Sequence, residues 1–206
     1  MTEIKICGLT EADSLRAVNR LKPEYAGFVF AKSRRRVTVE AARALIRLLD
    51  PAVVPVGVFV NEHPAVVAAI AAACGLRAVQ LHGNEDGGYV RALKRLLPGT
   101  LVIKAVRVRD GASLKAAAAH ACDLYLLDAW RAGGGGGTGE TFDWELARGF
   151  EAPFFLAGGL DAKNVSEAVG RCAPLGVDVS SGVETDGRKD AAKIAEFIGI
   201  VRGKRG

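Results

Sequence analysis

The chain has 206 residues, half of them hydrophobic and a quarter charged, with a formal net charge of +5. That length suits one large domain or two small ones, and no apolar run approaches the ~18 residues that a membrane-spanning helix needs. Basic residues are scattered apart from Arg34-Arg35-Arg36 and Arg202-Gly203-Lys204-Arg205, and aromatics are only 6% of the chain, so no stacking platform for nucleic acid is visible and a mild positive field that attracts a small anion accounts for the balance.

In chain order, short apolar or β-branched runs alternate with stretches of helical period. The runs at 4–7, 25–30, 53–60, 78–81, 102–106, 124–127, 154–157 and 177–179 read as strands. The stretches at 12–21, 39–49, 64–74, 89–97, 112–121, 144–148, 162–172 and 191–201 read as helices, the sixth of them weak and short. Thr10 and Thr38 stand where N-caps belong, Pro64 suits a first helical position, and Gly75 suits a C-terminal cap. The first residues enter a strand pattern directly, with no secretory signal, so cytoplasm is the expected location. Strands separated by helices imply right-handed βαβ units and a parallel sheet. Eight units is the count that closes a single (β/α)8 TIM barrel, expected here over residues 1–206. A doubly wound open sheet is the alternative, weakened because no G-x-G-x-x-G opens the first βα turn.

Six of the seven residues 133–139 are glycine, and they follow a strand that ends in Asp128. Glycine loses more conformational freedom on ordering than any other residue. Such a run suits a flap that closes over a ligand better than a plain connector, the other reading being a linker. Four cysteines, Cys7, Cys74, Cys122 and Cys172, lie far apart without metal-ligand spacing, so neither a disulfide framework nor a zinc site is expected. Cys74, Cys122 and Cys172 read as small buried apolar residues. In a barrel, functional groups sit at the C-terminal strand tips. The candidates there are Cys7, Ser33 to Arg36, Asn61, His82, Arg107, Asp128, Gly158-Gly159 and Ser180-Ser181-Gly182. Strand alternation puts Cys7 on one face with Lys5, toward the barrel interior, while Ile4 and Ile6 pack outward.

Several blocks occur in sequence: Lys5-Ile6-Cys7-Gly8-Leu9-Thr10, Gly27-Phe28-Val29-Phe30 with Ser33-Arg34-Arg35-Arg36-Val37, and Gln80-Leu81-His82-Gly83. They continue with Asp128, Gly136-Gly137-Thr138-Gly139, Phe142-Asp143-Trp144, Leu156-Ala157-Gly158-Gly159-Leu160 with Asn164-Val165, and Asp178-Val179-Ser180-Ser181-Gly182-Val183-Glu184 with Lys189-Asp190. In that order, and across essentially the whole chain, the set resembles the phosphoribosylanthranilate isomerase family of tryptophan biosynthesis. The resemblance implies one barrel, no metal and no organic cofactor. It implies an Amadori rearrangement of N-(5-phosphoribosyl)anthranilate, an aminoaldose, to the aminoketose, with Asp128 as the acid and Cys7 as the base. A free aspartate has a pKa near ~3.9, so the acid role asks for desolvation beneath the flap at Gly136, Gly137, Thr138 and Gly139. A free thiol starts near ~8.5, so the base role asks for a modest depression.

The substrate has two anionic ends. Backbone N–H groups of Gly158, Gly159, Ser181 and Gly182, helped by the Ser180 and Ser181 hydroxyls, are expected to hold the phosphate. The family motif assigns the anthranilate carboxylate to Arg35, whose planar fork matches it, although Arg34 and Arg36 leave a one-residue slip open. Asp178 is expected to face the pore, either contacting the substrate amine, orienting the acid, or filling a polar layer. His82 is expected to line the site, His63 and His120 to sit on surface helices, and Glu184 and Asp190 to cap or pair near the last helix. The partner expected is a phosphorylated small molecule, with no nucleic acid and no membrane, and a monomer with a homodimer as the alternative. Two other functions are kept in view. A sister isomerase of histidine biosynthesis carries an aspartate at the first strand tip, against Cys7 here. A silent barrel that only senses a phosphorylated metabolite would lack the acid or the base.

Overall fold

Two apolar faces on each strand decide the architecture. A computed structural model describes residues 1–117, 121–129 and 144–203. The strands are β1 Glu3–Cys7, β2 Tyr25–Val29, β3 Val54–Phe59, β4 Ala78–Leu81, β5 Leu101–Val108, β6 Leu124–Ala129, β7 Phe154–Leu156 and β8 Gly176–Val179. They form a closed barrel in chain order. All eight pairings are parallel, and β1 closes on β8 with Lys5 opposite Asp178. The helices between and after them are α1 Ala12–Leu21, α2 Val39–Arg47, α3 Pro64–Cys74, α4 Gly87–Leu96, α5 Gly111–Ala117, α6 Glu145–Arg148, α7 Val165–Cys172 and α8 Ala191–Val201. After β8 come a 3-10 turn at Ser181–Val183 and a small antiparallel hairpin, β9 Glu184–Thr185 with β10 Arg188–Lys189. This is the barrel that the alternation of elements implies, and the open sheet is excluded.

The core divides as the side-chain parity requires. Ile4, Ile6, Phe28, Val79, Val102, Tyr125, Leu127 and Val177 face outward and pack with the helices in one large cluster. Val56, Ala78, Ile103, Ala105, Leu124, Leu126, Phe155 and Ala157 form a second cluster that fills the barrel itself. The interior is therefore packed, although the buried polar side chains of Lys5 and Gln80 also project into it.

Helix ends mostly follow the sequence signals. Thr38 caps α2 by accepting the Ala41 N–H at 3.2 Å. Pro64 opens α3, and Gly75 closes it in the left-handed region at φ +69°. Thr10 does not cap α1: the N-cap is Glu11, without a side-chain bond, so the hydroxyl stands one position too early. The helix expected from 162 begins only at Val165. Asp161 Oδ1 takes the N–H groups of Lys163 and Asn164, and Asn164 Oδ1 takes that of Asp161, which ties this stretch into a turn. β5 runs past its expected end at 106 because Arg107 and Val108 pair with Asp128 and Ala129 of β6. The end of the fifth helix, His120 and the glycine segment lie outside the described residues. No helix among the described residues is long and apolar enough to cross a membrane.

Candidate active site

The rim where β1, β2 and β8 end carries a charged cluster set on the interior face. Lys5 and Cys7 share that face, as does Asp178 on β8. Lys5 is fully buried, and its Nζ donates to Asp178 Oδ1 at 2.9 Å. Gly27 on β2 makes room for the group. A Cβ there would stand 2.8 Å from Cys7 Sγ and 3.2 Å from Lys5 Nζ, so sulfur and ammonium converge on one point. Burial pushes the Cys7 thiol above its ordinary value, and the Lys5 ammonium, which pulls it down, does not cancel that. The depression expected of a base is therefore reversed here, because the sulfur is buried away from water. Burial alone would lower the Lys5 ammonium, yet Asp178 and then Cys7 hold it above the usual lysine value.

Across the mouth, β6 delivers Asp128. Leu124 and Leu126 face inward, so the alternation carries Asp128 inward as well, at the end where Cys7 lies. His82 follows the last residue of β4 and brings its Nε2 to 3.2 Å from Asp128 Oδ2. Gln80 Nε2 lies 2.9 Å from His82 Nδ1. With Gln80 donating to Nδ1, a neutral imidazole keeps its proton on Nε2 and gives it to Asp128. His82 thus holds one carboxylate oxygen and leaves the other, Oδ1, for a ligand. Asn61, another candidate at a strand tip, instead braces the neighbouring loop, its Oδ1 accepting the Asn84 N–H at 2.7 Å.

The third part of the rim lies between the loops after β7 and β8. Gly158 and Gly159 both have positive φ, +87° and +68°, a backbone that only glycine adopts freely. Asn164 Nδ2 clamps this turn through the Gly159 carbonyl at 2.9 Å. Ser181 and Gly182 head the 3-10 turn, whose first N–H groups have no partner within the turn itself. Two expectations change here. The Ser180 hydroxyl donates back to the Cys7 carbonyl at 3.0 Å, so it locks the loop to β1 instead of facing outward. A Cβ on Gly182 would stand 2.0 Å from the Leu160 carbonyl, so its missing side chain lets the two loops pack together.

Arg35 sits over the β1 end: a Cβ on Gly8 would stand 2.4 Å from its Cδ. Its fork is held by Glu184, Nε to Oε1 at 2.6 Å and Nη2 to Oε2 at 2.9 Å. Arg34 reaches the same carboxylate from outside at 2.7 Å. Arg36 instead lines a cavity of about 400 Å³ with Phe30, Phe59 and Glu62, away from the interior face of the barrel. The geometry therefore places Arg35, and not Arg36, at the rim. Glu184 is an ion-pair residue as expected. Asp190 is a cap, taking the Ala192 and Lys193 N–H groups of α8.

Three residues here were not singled out by the sequence pattern. Lys189, with a side chain only 2% exposed, gives its ammonium to the Ser180 carbonyl and Oγ and to Glu184 Oε1. Burial lowers its pKa, against the pull of Glu184. Gln80 orients His82. Lys5 was visible only as a neighbour of Cys7; its strand parity, matched by that of Asp178, was the available signal.

The family model for N-(5′-phosphoribosyl)anthranilate (PRA) isomerase matches residues 4–199. The chain belongs to the phosphoribosylanthranilate isomerase family. An isomerase of that name from Acetivibrio thermocellus is 49% identical over 210 residues, covering 98% of this chain and 96% of the relative. The crystal structure of the phosphoribosylanthranilate isomerase from Thermotoga maritima has a TM-score of 0.90 at 38% identity, over 98% of this chain and 100% of that one. A further isomerase structure, with reduced 1-(o-carboxyphenylamino)-1-deoxyribulose 5-phosphate bound, has a TM-score of 0.87 at 36% identity, over 98% and 100% of the two chains.

Proposed function

We propose that this protein converts N-(5′-phosphoribosyl)anthranilate to 1-(2-carboxyphenylamino)-1-deoxyribulose 5-phosphate in tryptophan biosynthesis, with Asp128 as general acid and Cys7 as general base. Family membership over the full barrel supports the reaction. The observation that carries the residue roles is one of placement: Cys7 and Asp128 end β1 and β6 with inward parity at the same rim, on opposite sides of the mouth. A sugar between them would present its ring oxygen to one and C2′ to the other. Asp128, steadied by His82 at Oδ2, gives a proton to the furanose oxygen, and the ring opens to a protonated imine. Cys7, as thiolate, takes the C2′ proton and leaves an enolamine. The enol proton is then lost as C1′ gains one, giving the ketone. At that point the carboxyl has given one proton and the thiol holds one more, so a single proton exchange with solvent resets the pair.

The phosphate is assigned to Gly158, Gly159, Ser181 and Gly182, whose backbone N–H groups belong to two loops pinned together at Leu160. Lys189 adds a cation beneath that cradle through Ser180. Ser180 itself acts through loop position. The anthranilate carboxylate is assigned to Arg35. The substrate is then held at both anionic ends while the sugar spans the acid and the base. A cytoplasmic enzyme built on one barrel and needing no cofactor completes the reading.

The test follows the loss of substrate fluorescence by the purified protein. Cys7→Ala and Asp128→Asn should each lower kcat by about 10²–10⁴-fold while binding of a product analogue stays within a few-fold of wild type. Unchanged turnover in either variant removes that residue's role. A wild-type protein inactive on this substrate but binding the product analogue would instead fit a sensor.

A further inference from the structure

The interior layers of such barrels are normally filled by branched apolar side chains, and here Val56, Ile103, Leu124 and Leu126 do so. Lys5 and Asp178 break the pattern. Both project into the interior from adjacent strands, and Lys5 is fully buried. A buried ion pair of this kind is a weak source of stability, since desolvation offsets most of the attraction. Its position beside Cys7 suggests another use.

We propose that Lys5 is the positioning cation that favours the thiolate form of Cys7, and that Asp178 competes with the sulfur for the same ammonium. The proposal rests on the reading of Cys7 as the base, although the ionisation itself can be measured without substrate. The contacts at Gly27 put Cys7 Sγ and Lys5 Nζ no more than about 6 Å apart, with no side chain on Gly27 to separate them. At that distance, and an effective dielectric of ~20, an ion pair moves a thiol by about two pH units. The other charged groups near the sulfur are accounted for. Lys189 is hydrogen-bonded to Ser180 and Glu184, and Arg35, whose stem lies over Gly8, has its fork on Glu184. Asp178 is the neighbouring anion, at 2.9 Å from Lys5 Nζ. Lys5 can therefore favour the thiolate most when something else occupies Asp178, as a substrate amine hydrogen-bonded there would.

The test is the pH dependence of Cys7 alkylation by iodoacetamide in ligand-free protein, from about pH 6 to 10. The modified Cys7 peptide is quantified by mass spectrometry, so that Cys74, Cys122 and Cys172 do not contribute. Lys5→Met should raise the midpoint by about one to two units and slow the reaction at neutral pH by about tenfold or more. Asp178→Asn should shift the midpoint the other way and speed the reaction, a sign that altered packing or access alone would not produce. A Lys5→Met midpoint equal to that of wild type overturns the proposal. Should Lys5→Met not fold, Asp178→Asn decides alone: a lower midpoint supports the competition, and an unchanged or higher one overturns it. These results stand apart from the isomerase reading. Shifted midpoints in a protein with no activity on the aminoaldose would leave the pairing and remove the enzyme, and active protein with unmoved midpoints would do the reverse.

Discussion

At the scale of single residues, the informative conflict is the Cys7 thiol. Its place on β1 suits a base, yet burial pushes its pKa up in the ligand-free protein. A general base works only in its deprotonated form, so a raised pKa leaves a minority of molecules competent near neutral pH. The sign follows directly. As pH rises toward the pKa of the thiol the thiolate fraction grows about tenfold per unit, which offsets any loss of the Asp128 proton, so kcat/KM should rise or hold level and fall only above the thiol pKa. Initial rates of fluorescence loss between about pH 6 and 9 measure this. A profile that falls across the range would mean that no thiol with a raised pKa supplies the base. His82 is a quieter case of the same logic. Its contacts with Gln80 and Asp128 commit both ring nitrogens, so its role is to aim a carboxylate, and the sequence alone offered only a polar residue at a strand tip.

At the scale of elements, the rim is assembled by pairings between distant loops. Glu184 gathers Arg35 from the loop after β2 and Lys189 from β10. Burial alone would raise the Glu184 pKa, but the hydrogen bonds from Arg35 and Lys189 outweigh it and hold the group below the ordinary glutamate value. A depressed carboxylate stabilises the fold above its unfolded pKa and loses that contribution as pH falls through the folded one. Glu184→Gln should therefore loosen Arg35 and raise KM by about tenfold with a smaller change in kcat. Arg35→Ala should raise KM more than Arg36→Ala, because only Arg35 lies over Gly8. Equal effects of the two would place the carboxylate elsewhere. Much of the barrel was legible because alternation and helical period are local: β4, α1, α3 and α8 have the bounds that the sequence implies. The partners of Arg35 and Ser180 were not legible, since Glu184 stands 149 residues from Arg35 and the Cys7 carbonyl 173 from Ser180. Local pattern carries no such pairing. The Ser-Ser-Gly block says nothing of the Cys7 carbonyl that takes its first hydroxyl.

At the scale of the whole molecule, a second buried ion pair explains how one half of the rim is kept in register. Lys104 on β5 gives its ammonium to Glu85 Oε2 at 2.8 Å and to the Gly83 carbonyl at 2.8 Å. Glu85 in turn accepts the Asn61 N–H at 2.7 Å and the Gly83 N–H at 2.9 Å. The loops after β3 and β4 are thereby tied to the middle of β5, and His82 sits directly before Gly83. Burial would raise the Glu85 pKa, yet Lys104 and the Asn61 N–H hold it below the usual value. Lys104→Met would strand that carboxylate in a nearly dry site, a change that costs about 3–5 kcal/mol. For a chain of this length the loss corresponds to a fall in Tm of about 6–20 °C. Lys104→Met combined with Glu85→Gln removes both charges and keeps one acceptor, so it should lose clearly less than Lys104→Met alone. Thermal unfolding followed by circular dichroism separates the two variants. Equal losses would mean that the shape of Lys104, and not its charge, braces the β4 tip, and His82 would then depend on packing instead of on the ion pair behind it.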